Sequence, residues 1–388
     1  MKLTNIKLSD DIILIIESCK EEKNQELIKE KITTIKNWDD FISLSYSHGV
    51  FPLVYHALKE YKDILPQDLF LKLKSINMDI SKYNMLMTSE LIKVMKLLEE
   101  NDIEAISFKG PTLSQSAYGD ITLRQYVDLD ILIKEEDLEK TYEILEINDL
   151  ISTIEKEYVN NKLFLEKNSD ITFINKKNGI NIEIHWKLFR NKFLSNLNNK
   201  NFFDEKYKIK VNNYDINIFY PEILLVYLCM HGSKHKWERI EWITDINKLL
   251  IKEQNIDWEL IFKIAKSYAC TKMLYLGIYI SYLTYNSSIP KIYLKELEKE
   301  TYQNMLKHIF EEMVKLNKTK SEIEKNLDSV KFHYLLHETF YEKVKFLKKT
   351  FFEISDNDTR SFNSNSLFLH YTMKLFRLLK KYISGVFK

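Results

Sequence analysis

Apolar residues recur at helical spacing through most of the first hundred residues. In the last of these runs they stand at positions i, i+3, i+4 and i+7 from Leu91 to Leu98, and the polar pair Asn101-Asp102 ends the pattern. This periodicity predicts an N-terminal helical lobe over residues 1–100.

Beyond residue 103 the pattern changes to short apolar or alternating runs that polar turns separate. The sequence between the last two runs, Lys-Lys-Asn-Gly, predicts a hairpin because Asn178-Gly179 tolerates the positive φ of a tight turn, so these two strands should be antiparallel. We expect an α/β core over residues 101–220. Four runs predict its strands, namely Ile103–Phe108, Val127–Ile133, Ile171–Asn175 and Ile180–Trp186.

Helical periodicity returns at Pro221-Glu222 and persists nearly to the end of the chain. Proline suits the first turn of a helix, where its missing amide proton is not needed, and Asp257 is placed to cap another helix. The third region, residues 221–388, is therefore predicted to be helical. The expected fold class is α+β, with a small mixed β-sheet flanked by N- and C-terminal helical lobes.

Glycine usage excludes three common nucleotide-binding loops. The chain has seven glycines, and the two closest, Gly110 and Gly119, are nine residues apart. Dinucleotide, Walker A and kinase loops all need glycines two to five residues apart, where backbone amides wrap the phosphates. A nucleotide would therefore be held mainly by side chains and metal ions.

The net charge and the cysteine content indicate which binding partners and which cellular compartment to expect. The 57 basic and 56 acidic residues give a net charge of +1, so no global field attracts nucleic acid or anionic membranes. Cys19, Cys229 and Cys270 are far apart and fit reduced core thiols. We expect no secretion signal and no transmembrane segment, and hence a cytoplasmic protein. The excess of Lys, Ile and Asn is typical of an AT-rich bacterial genome.

The sharpest chemical feature is the Asp-Leu-Asp sequence of the second predicted strand. Because strand side chains alternate, Asp128 and Asp130 should project from one face while Leu129 and Ile131 enter the core. Two carboxylates held so close repel each other unless a divalent cation lies between them, which indicates Mg²⁺. The alternative is a half-exposed edge strand with two solvated acids.

Two neighbouring features strengthen the metal interpretation. Upstream, a predicted strand ends at Lys109-Gly110 and a short helix follows. Downstream, the last predicted strand places Glu183 and His185 on one face. The order is strand, glycine turn, helix, Asp-x-Asp strand and third carboxylate strand, which is the layout of the nucleotidyltransferases related to DNA polymerase β.

Neighbouring motifs make this resemblance more specific. From about residue 38 to 380 the chain resembles the bacterial family of uncharacterised nucleotidyltransferases. Each motif is short, but the ordered set is characteristic of that family. The motifs are His48-Gly49-Val50, Lys109-Gly110, Arg124 ahead of Asp128-Leu129-Asp130, Glu183-Ile184-His185-Trp186, and His231-Gly232 followed by His235-Lys236-Trp237.

The resemblance implies a polymerase β-like core that transfers a nucleoside monophosphate from an NTP, with ATP as the first candidate, to a hydroxyl acceptor. Asp128, Asp130 and Glu183 would be the catalytic carboxylates and would hold two Mg²⁺ ions, for which Mn²⁺ is a substitute. Glu183 would also accept the proton of the acceptor hydroxyl.

Positive groups are expected to face the triphosphate. Lys109 at the Gly110 turn and Arg124 are the candidates, and the alternative for Arg124 is an ion pair with an acid at the surface. Most superfamily relatives have serine after the glycine, whereas this chain has Pro111-Thr112. Thr112 either replaces that serine, or Lys109 and local amides bind the phosphate instead.

Three residues near the start of the C-terminal region are further nucleotide-binding candidates. His231 and His235 are one helical turn apart, and Lys234 lies between them. They either contact the nucleotide or make structural hydrogen bonds, while zinc binding by the two histidines lacks an evident third ligand. His185 is either a partner of the metal-binding carboxylates or a satisfied, partly buried histidine.

The acceptor is not specified by these residues. The balanced charge favours a small-molecule or protein hydroxyl over nucleic acid. The competing interpretation is a catalytically inactive nucleotide-binding or scaffold protein that retains the fold, which the altered glycine turn favours. Residues 343–388 have a local charge of +7, from ten basic and three acidic residues. That segment either docks on the protein or contacts an anionic surface.

Overall fold

A computed structural model describes residues 8–188, 200–204, 206–314 and 322–352. Between Asp10 and Glu99 the chain is mostly helical. Side-chain oxygens of Ser9, Asn24 and Asn37 accept backbone N–H groups and so fix where the first three helices begin. The five helices are α1 Asp10–Cys19, α2 Gln25–Thr34, α3 Trp38–Ser47, α4 Phe51–Leu58 and α5 Gln67–Glu99.

A five-stranded mixed sheet follows, in the order β1-β2-β5-β4-β3. Strands β2 and β5 are parallel, and the other three neighbouring pairs are antiparallel. The predicted hairpin is confirmed, since β4 and β5 are antiparallel and Gly179 has a φ of +71°. The strands are β1 Ala105–Ser107, β2 Asp128–Ile133, β3 Leu150–Ser152, β4 Asp170–Asn175 and β5 Asn181–His185.

Three observed strands were not among the predicted ones. One is β3 at the sheet edge, and the others are β6 Lys206–Val211 and β7 Tyr214–Phe219, which form a separate antiparallel hairpin. The turn of that hairpin is Asn212-Asn213, and both residues have positive φ. Both strands alternate polar and apolar residues, so a signal for them was present in the sequence.

Short helices connect the strands, and a second helical region follows the hairpin. The predicted cap is confirmed, because Asp257 Oδ1 accepts the N–H of Leu260 at 3.0 Å. The connecting helices are α6 Gly110–Leu113, α7 Leu138–Ile147, α8 Lys162–Lys167 and α9 Lys200–Asp204. The later helices are α10 Pro221–Lys234, α11 Ile240–Lys252, α12 Trp258–Ser267, α13 Thr271–Tyr285, α14 Lys291–Leu294, α15 Glu300–Val314, α16 Glu322–Leu336 and α17 Phe340–Phe352. Most of the basic C-terminal segment lies outside the described residues.

The two faces of the sheet pack against different parts of the chain. Leu129 and Ile131, together with the C-terminal half of α5, belong to one buried cluster, as the alternation predicted. Phe108 and Leu132 belong to a second cluster, to which both α1–α4 and α10–α13 contribute. The face that carries Asp130 is therefore covered by helices from both ends of the chain.

Two other expectations bear on the described residues. The three cysteines are buried and unpaired with one another, as predicted for core thiols. Within the described ranges, no helix combines the length and the apolar composition that crossing a bilayer requires.

The observed α+β architecture, with a small mixed sheet between helical regions, confirms the predicted fold class.

Candidate active site

Strand register brings two acids and a histidine together on the covered face of the sheet. In the parallel pair β2–β5, Asp130 lies opposite Glu183, and His185 follows two residues later on the same face. One potential metal-ligand atom from each of the three lies within 4.8 Å of the others. His185 Nε2 is 3.2 Å from Asp130 Oδ1 and 3.4 Å from Glu183 Oε2.

Asp130 is only 1% exposed, and its two oxygens have very different surroundings. Lys109 Nζ lies 3.0 Å from Oδ1, the same oxygen that His185 contacts, whereas Oδ2 is buried without a hydrogen-bond partner. Burial alone would raise the pKa of Asp130, but Lys109 and His185 lower it well below its ordinary value. The carboxylate is therefore ionised and has an unused acceptor atom.

The neighbouring acids raise the pKa values of both His185 and Lys109. Burial alone would lower the pKa of His185, but hydrogen bonds to Asp130 and Glu183 raise it to about 9. Burial would also lower the pKa of Lys109, and the charge of Asp130 raises it above its ordinary value. Both groups are thus positively charged at neutral pH and balance the neighbouring acids.

Asp128 lies on the same strand face as Asp130, opposite Asn181, but outside the group of three. Burial and the charge of Asp130 raise its pKa to about 6, which shows that the two carboxylates share one electrostatic environment. The residue before it, Val127, is 63% exposed. The Asp128 end of the cluster is therefore close to solvent.

The Lys109-Gly110 turn packs directly on strand β2. Gly110 has a φ of +55°, and a Cβ added there would lie 3.3 Å from the Asp128 carbonyl oxygen, so a side chain would disturb this close approach. Thr112 is buried, and its hydroxyl donates to the Lys109 carbonyl at 2.8 Å and pairs with the Ser107 hydroxyl. The Thr112 hydroxyl thus stabilises the turn, and its replacement of a phosphate-binding serine stays a prediction.

Arg124 also differs from its predicted role. Its Nε and one terminal nitrogen donate to the two oxygens of Asp245 at 2.8 and 2.9 Å, and the other terminal nitrogen donates to a backbone carbonyl. Tyr118 donates to the same carboxylate at 2.6 Å. The expected phosphate contact of Arg124 is therefore corrected to a buried ion pair that joins the core to α11. The pair is buried rather than at the surface.

The His48-Gly49 motif joins α3 to the start of α11 beside this ion pair. His48 Nδ1 accepts the N–H of Ile240 at 3.3 Å, and its carbonyl accepts the N–H of Glu241 at 3.1 Å. Gly49 has a φ of +73°, and a Cβ there would overlap the Glu241 carboxylate at 1.7 Å. The motif is thus explained by packing between the N- and C-terminal helices.

His231 lies on α10 and His235 directly after it, in a group of aromatic rings. The His231 ring is 5.9 Å from that of Tyr227 and 4.8 Å from that of His235, and Trp242 of α11 is within 5.5 Å of both histidines. Lys234 is exposed at the end of the helix. Sequence reasoning missed Tyr227, although its position four residues before His231 placed it on the same helical face.

Arg239 is a second residue that the prediction did not single out as a phosphate-binding group. It precedes α11, one terminal nitrogen lies 3.0 Å from Glu241 Oε2, and its side chain is 35% exposed. Burial raises the pKa of Glu241 to about 7, Arg124 and Arg239 oppose that shift, and Asp128 adds to it. Glu241 and Arg239 therefore lie within the electrostatic reach of the acidic cluster.

The donor set of the cluster fits a divalent cation. Asp130 and Glu183 supply carboxylate oxygens from two rigid strands, and Asp130 Oδ2 is a buried acceptor without a partner. Oxygen ligands of this kind suit Mg²⁺ and Mn²⁺. His185 contacts both carboxylates and so fixes their orientation.

Comparison with known proteins identifies the family of the chain. No curated protein matches the chain. A solved structure described as an antigenic nucleotidyltransferase-like protein from Paracoccidioides brasiliensis aligns with 48% of this chain and 91% of its own, at 12% identity and a TM-score of 0.30. Residues 35–286 match the family described as "Uncharacterised nucleotidyltransferase". Because this match covers more than half of the chain, the protein belongs to that family of uncharacterised nucleotidyltransferases.

Proposed function

We propose that the protein is a metal-dependent nucleotidyltransferase that transfers a nucleoside monophosphate from an NTP, with ATP as the first candidate, to a hydroxyl acceptor. The observation that supports this most is the placement of Asp130 opposite Glu183 with Asp130 Oδ2 buried and unpaired. A buried carboxylate oxygen without a hydrogen bond is costly, so a ligand that supplies the missing partner is favoured.

Asp128, Asp130 and Glu183 would hold two Mg²⁺ ions, with Mn²⁺ as a substitute. When bound, such ions neutralise the triphosphate and the charge that develops on the attacking and leaving oxygens. The chain itself fixes the carboxylates, because all three project from paired strands and His185 contacts two of them.

Glu183 is the proposed general base. Its side chain is 31% exposed, whereas Asp130 is buried, so Glu183 is the more accessible of the two to an entering hydroxyl. The acceptor oxygen would form a bond to the α-phosphorus as the bond to the bridging oxygen of the pyrophosphate breaks. The hydroxyl proton passes to Glu183 and pyrophosphate leaves.

Two cations are proposed to contact the phosphates. Lys109 is already in the cluster, 3.0 Å from Asp130. Arg239 takes the role first assigned to Arg124, because it is partly exposed and its Nε lacks a partner, whereas Arg124 is fully engaged by Asp245. His231 and His235 remain candidates for nucleotide contact.

The acceptor is proposed to be a small-molecule or protein hydroxyl that approaches past the exposed Val127. Tyr83 is also exposed, and its pKa is raised by burial and by the nearby Asp128 and Tyr46, of which Tyr46 is exposed as well. An open rim of this kind suits an acceptor larger than water.

The test is transfer of labelled α-phosphate. The full chain is incubated with each NTP and cell extract, with Mg²⁺, with Mn²⁺ or with EDTA, and label is followed into protein and small-molecule fractions. We expect metal-dependent labelling that Asp130→Asn abolishes. Binding of Mg²⁺-ATP without transfer in any extract would instead identify the catalytically inactive nucleotide-binding protein, and labelling that persists in EDTA would refute the proposal.

A further inference from the structure

Four rings on α10, directly after its last residue and on α11 form a continuous surface beside the acidic cluster. We call it the ring wall and define it as Tyr227, His231, His235 and Trp242. Each ring centroid lies 4.8–5.9 Å from at least one other, and His231 and His235 both contact Trp242. These are ordinary distances for aromatic packing.

The ring wall is connected to the acidic cluster at both ends. At one end, Lys109 Nζ lies 5.7 Å from the centre of the Tyr227 ring and 3.0 Å from Asp130. At the other end, Arg239 lies over the Trp242 ring at 5.9 Å and pairs with Glu241, which Asp128 influences electrostatically. Lys109 therefore joins the ring wall to Asp130 by direct contact, and Glu241 brings its other end within electrostatic range of Asp128.

Tyr227 is buried, but the other three rings of the ring wall are more exposed than core residues. Trp237, five residues before Trp242, is fully buried against Gly232, where an added Cβ would lie 2.4 Å from its ring. By contrast, His231, His235 and Trp242 are only partly buried. Partly exposed rings grouped next to a polar site indicate a binding surface for a flat, weakly polar group.

The ring wall is also uncharged. Burial lowers the pKa of His235 to about 4, and burial together with Lys109 lowers that of His231 well below its ordinary value. A neutral imidazole offers one hydrogen-bond donor and one acceptor, which suits the edge of a nucleobase better than a phosphate. Among the described residues no third ligand joins the two histidines, so zinc is not favoured.

We infer that the ring wall binds the base of the nucleoside triphosphate while Lys109 and the acidic cluster hold its phosphates. This inference rests on the proposed nucleotidyltransferase function and adds the surface that selects among NTPs. Stacking on aromatic side chains provides affinity, and the two neutral imidazoles provide hydrogen bonds that differ from base to base.

The test separates base binding from phosphate binding. Calorimetric titration with Mg²⁺ compares α,β-methylene-ATP, which has a base, with inorganic tripolyphosphate, which has none. Trp242→Ala and His235→Ala should each weaken binding of the ATP analogue by about tenfold, because each removes a ring on which the base stacks. Binding of tripolyphosphate should not change.

Control variants make the result specific. Trp258 is partly buried on α12, where it packs against Tyr293, so Trp258→Ala should leave the binding of both ligands unchanged. Trp242→Phe keeps an aromatic face and should restore most of the lost affinity. Circular dichroism of every variant checks that it is folded.

The outcomes are distinguishable. Loss of affinity for the ATP analogue alone supports the inference. Unchanged affinity in Trp242→Ala and His235→Ala, or equal loss for both ligands, overturns it while leaving the proposed function intact. If the wild-type protein binds neither ligand with Mg²⁺, the proposed function fails, and the inference fails with it.

Discussion

Two buried ion pairs of similar composition lie close together in this protein. They differ in how completely the carboxylate oxygens are hydrogen-bonded. In the Arg124–Asp245 pair each carboxylate oxygen receives a guanidinium nitrogen, and Tyr118 adds a third donor. In the Lys109–Asp130 pair the lysine and His185 both contact Oδ1, and Oδ2 has no partner.

The Arg124–Asp245 pair is structural, whereas we propose that the Lys109–Asp130 pair belongs to the active site. A buried ion pair contributes to a stable fold when geometry is good and all hydrogen-bonding capacity is satisfied, as at Asp245. A buried carboxylate left partly unsatisfied is unfavourable in the absence of a ligand, and such sites are where ligands bind. Four variants test this distinction, from the largest expected effect to the smallest.

Asp130→Asn should abolish nucleotidyl transfer while leaving the protein folded, because Asp128 still lies near Lys109 and Glu183 still pairs with His185. The substitution keeps the shape of the side chain but removes the negative charge, so a loss of at least about 10²–10³-fold is expected. The measurement is the initial rate of label transfer, with circular dichroism as the check on folding. Transfer within tenfold of wild type would contradict the assignment of Asp130.

Asp245→Asn should instead destabilise the protein. It leaves the Arg124 guanidinium buried without its counter-charge, which typically costs about 3–5 kcal/mol of unfolding free energy. Urea denaturation measures the effect. In the double variant Arg124→Met with Asp245→Leu, no buried charge is left unpaired, and much of the stability should return. If Asp245→Asn weakened Mg²⁺-ATP binding without affecting stability, the pair would not be structural.

His48 should make stability depend on pH. Burial, with a smaller effect of Arg239, lowers its pKa to about 4 from an ordinary 6.5, so between these values the unfolded chain binds more protons than the folded protein. Stability is therefore fully present above pH 6.5 and is lost toward pH 4, by about 3 kcal/mol for this residue. The difference in unfolding free energy between wild type and His48→Gln, measured across this range, should show that slope. If the difference in unfolding free energy did not change with pH, the prediction would be wrong.

Thr112→Val is expected to have the smallest effect. The valine keeps the volume but removes a hydroxyl that donates to the Lys109 carbonyl, which typically costs about 1 kcal/mol. Because that hydroxyl is engaged within the turn, affinity for Mg²⁺-tripolyphosphate should not change. A large loss of affinity with unchanged stability would return Thr112 to the phosphate site.

Some of the fold was readable from local pattern alone. The Asn178-Gly179 turn, the cap at Asp257 and the helical periodicity of α5 depend only on neighbours in the sequence, and all three are present. The β6–β7 hairpin has an equally local signal, the alternation of polar and apolar residues on both sides of Asn212-Asn213, although neither strand was predicted. The register that sets Asp130 opposite Glu183 joins segments 53 residues apart and could only be inferred from the resemblance.

The sequence by itself determined that Asp128 and Asp130 share one strand face and that Leu129 and Ile131 face the core, because strand geometry alternates side chains whatever the rest of the chain does. Only the tertiary structure determined which cationic side chain pairs with which carboxylate. Asp245 is 121 residues from Arg124 and reaches it because α11 packs against the core, so no local pattern records the contact. Burial then determined which ion pairs form, because a carboxylate removed from water can pair only with groups that packing brings near.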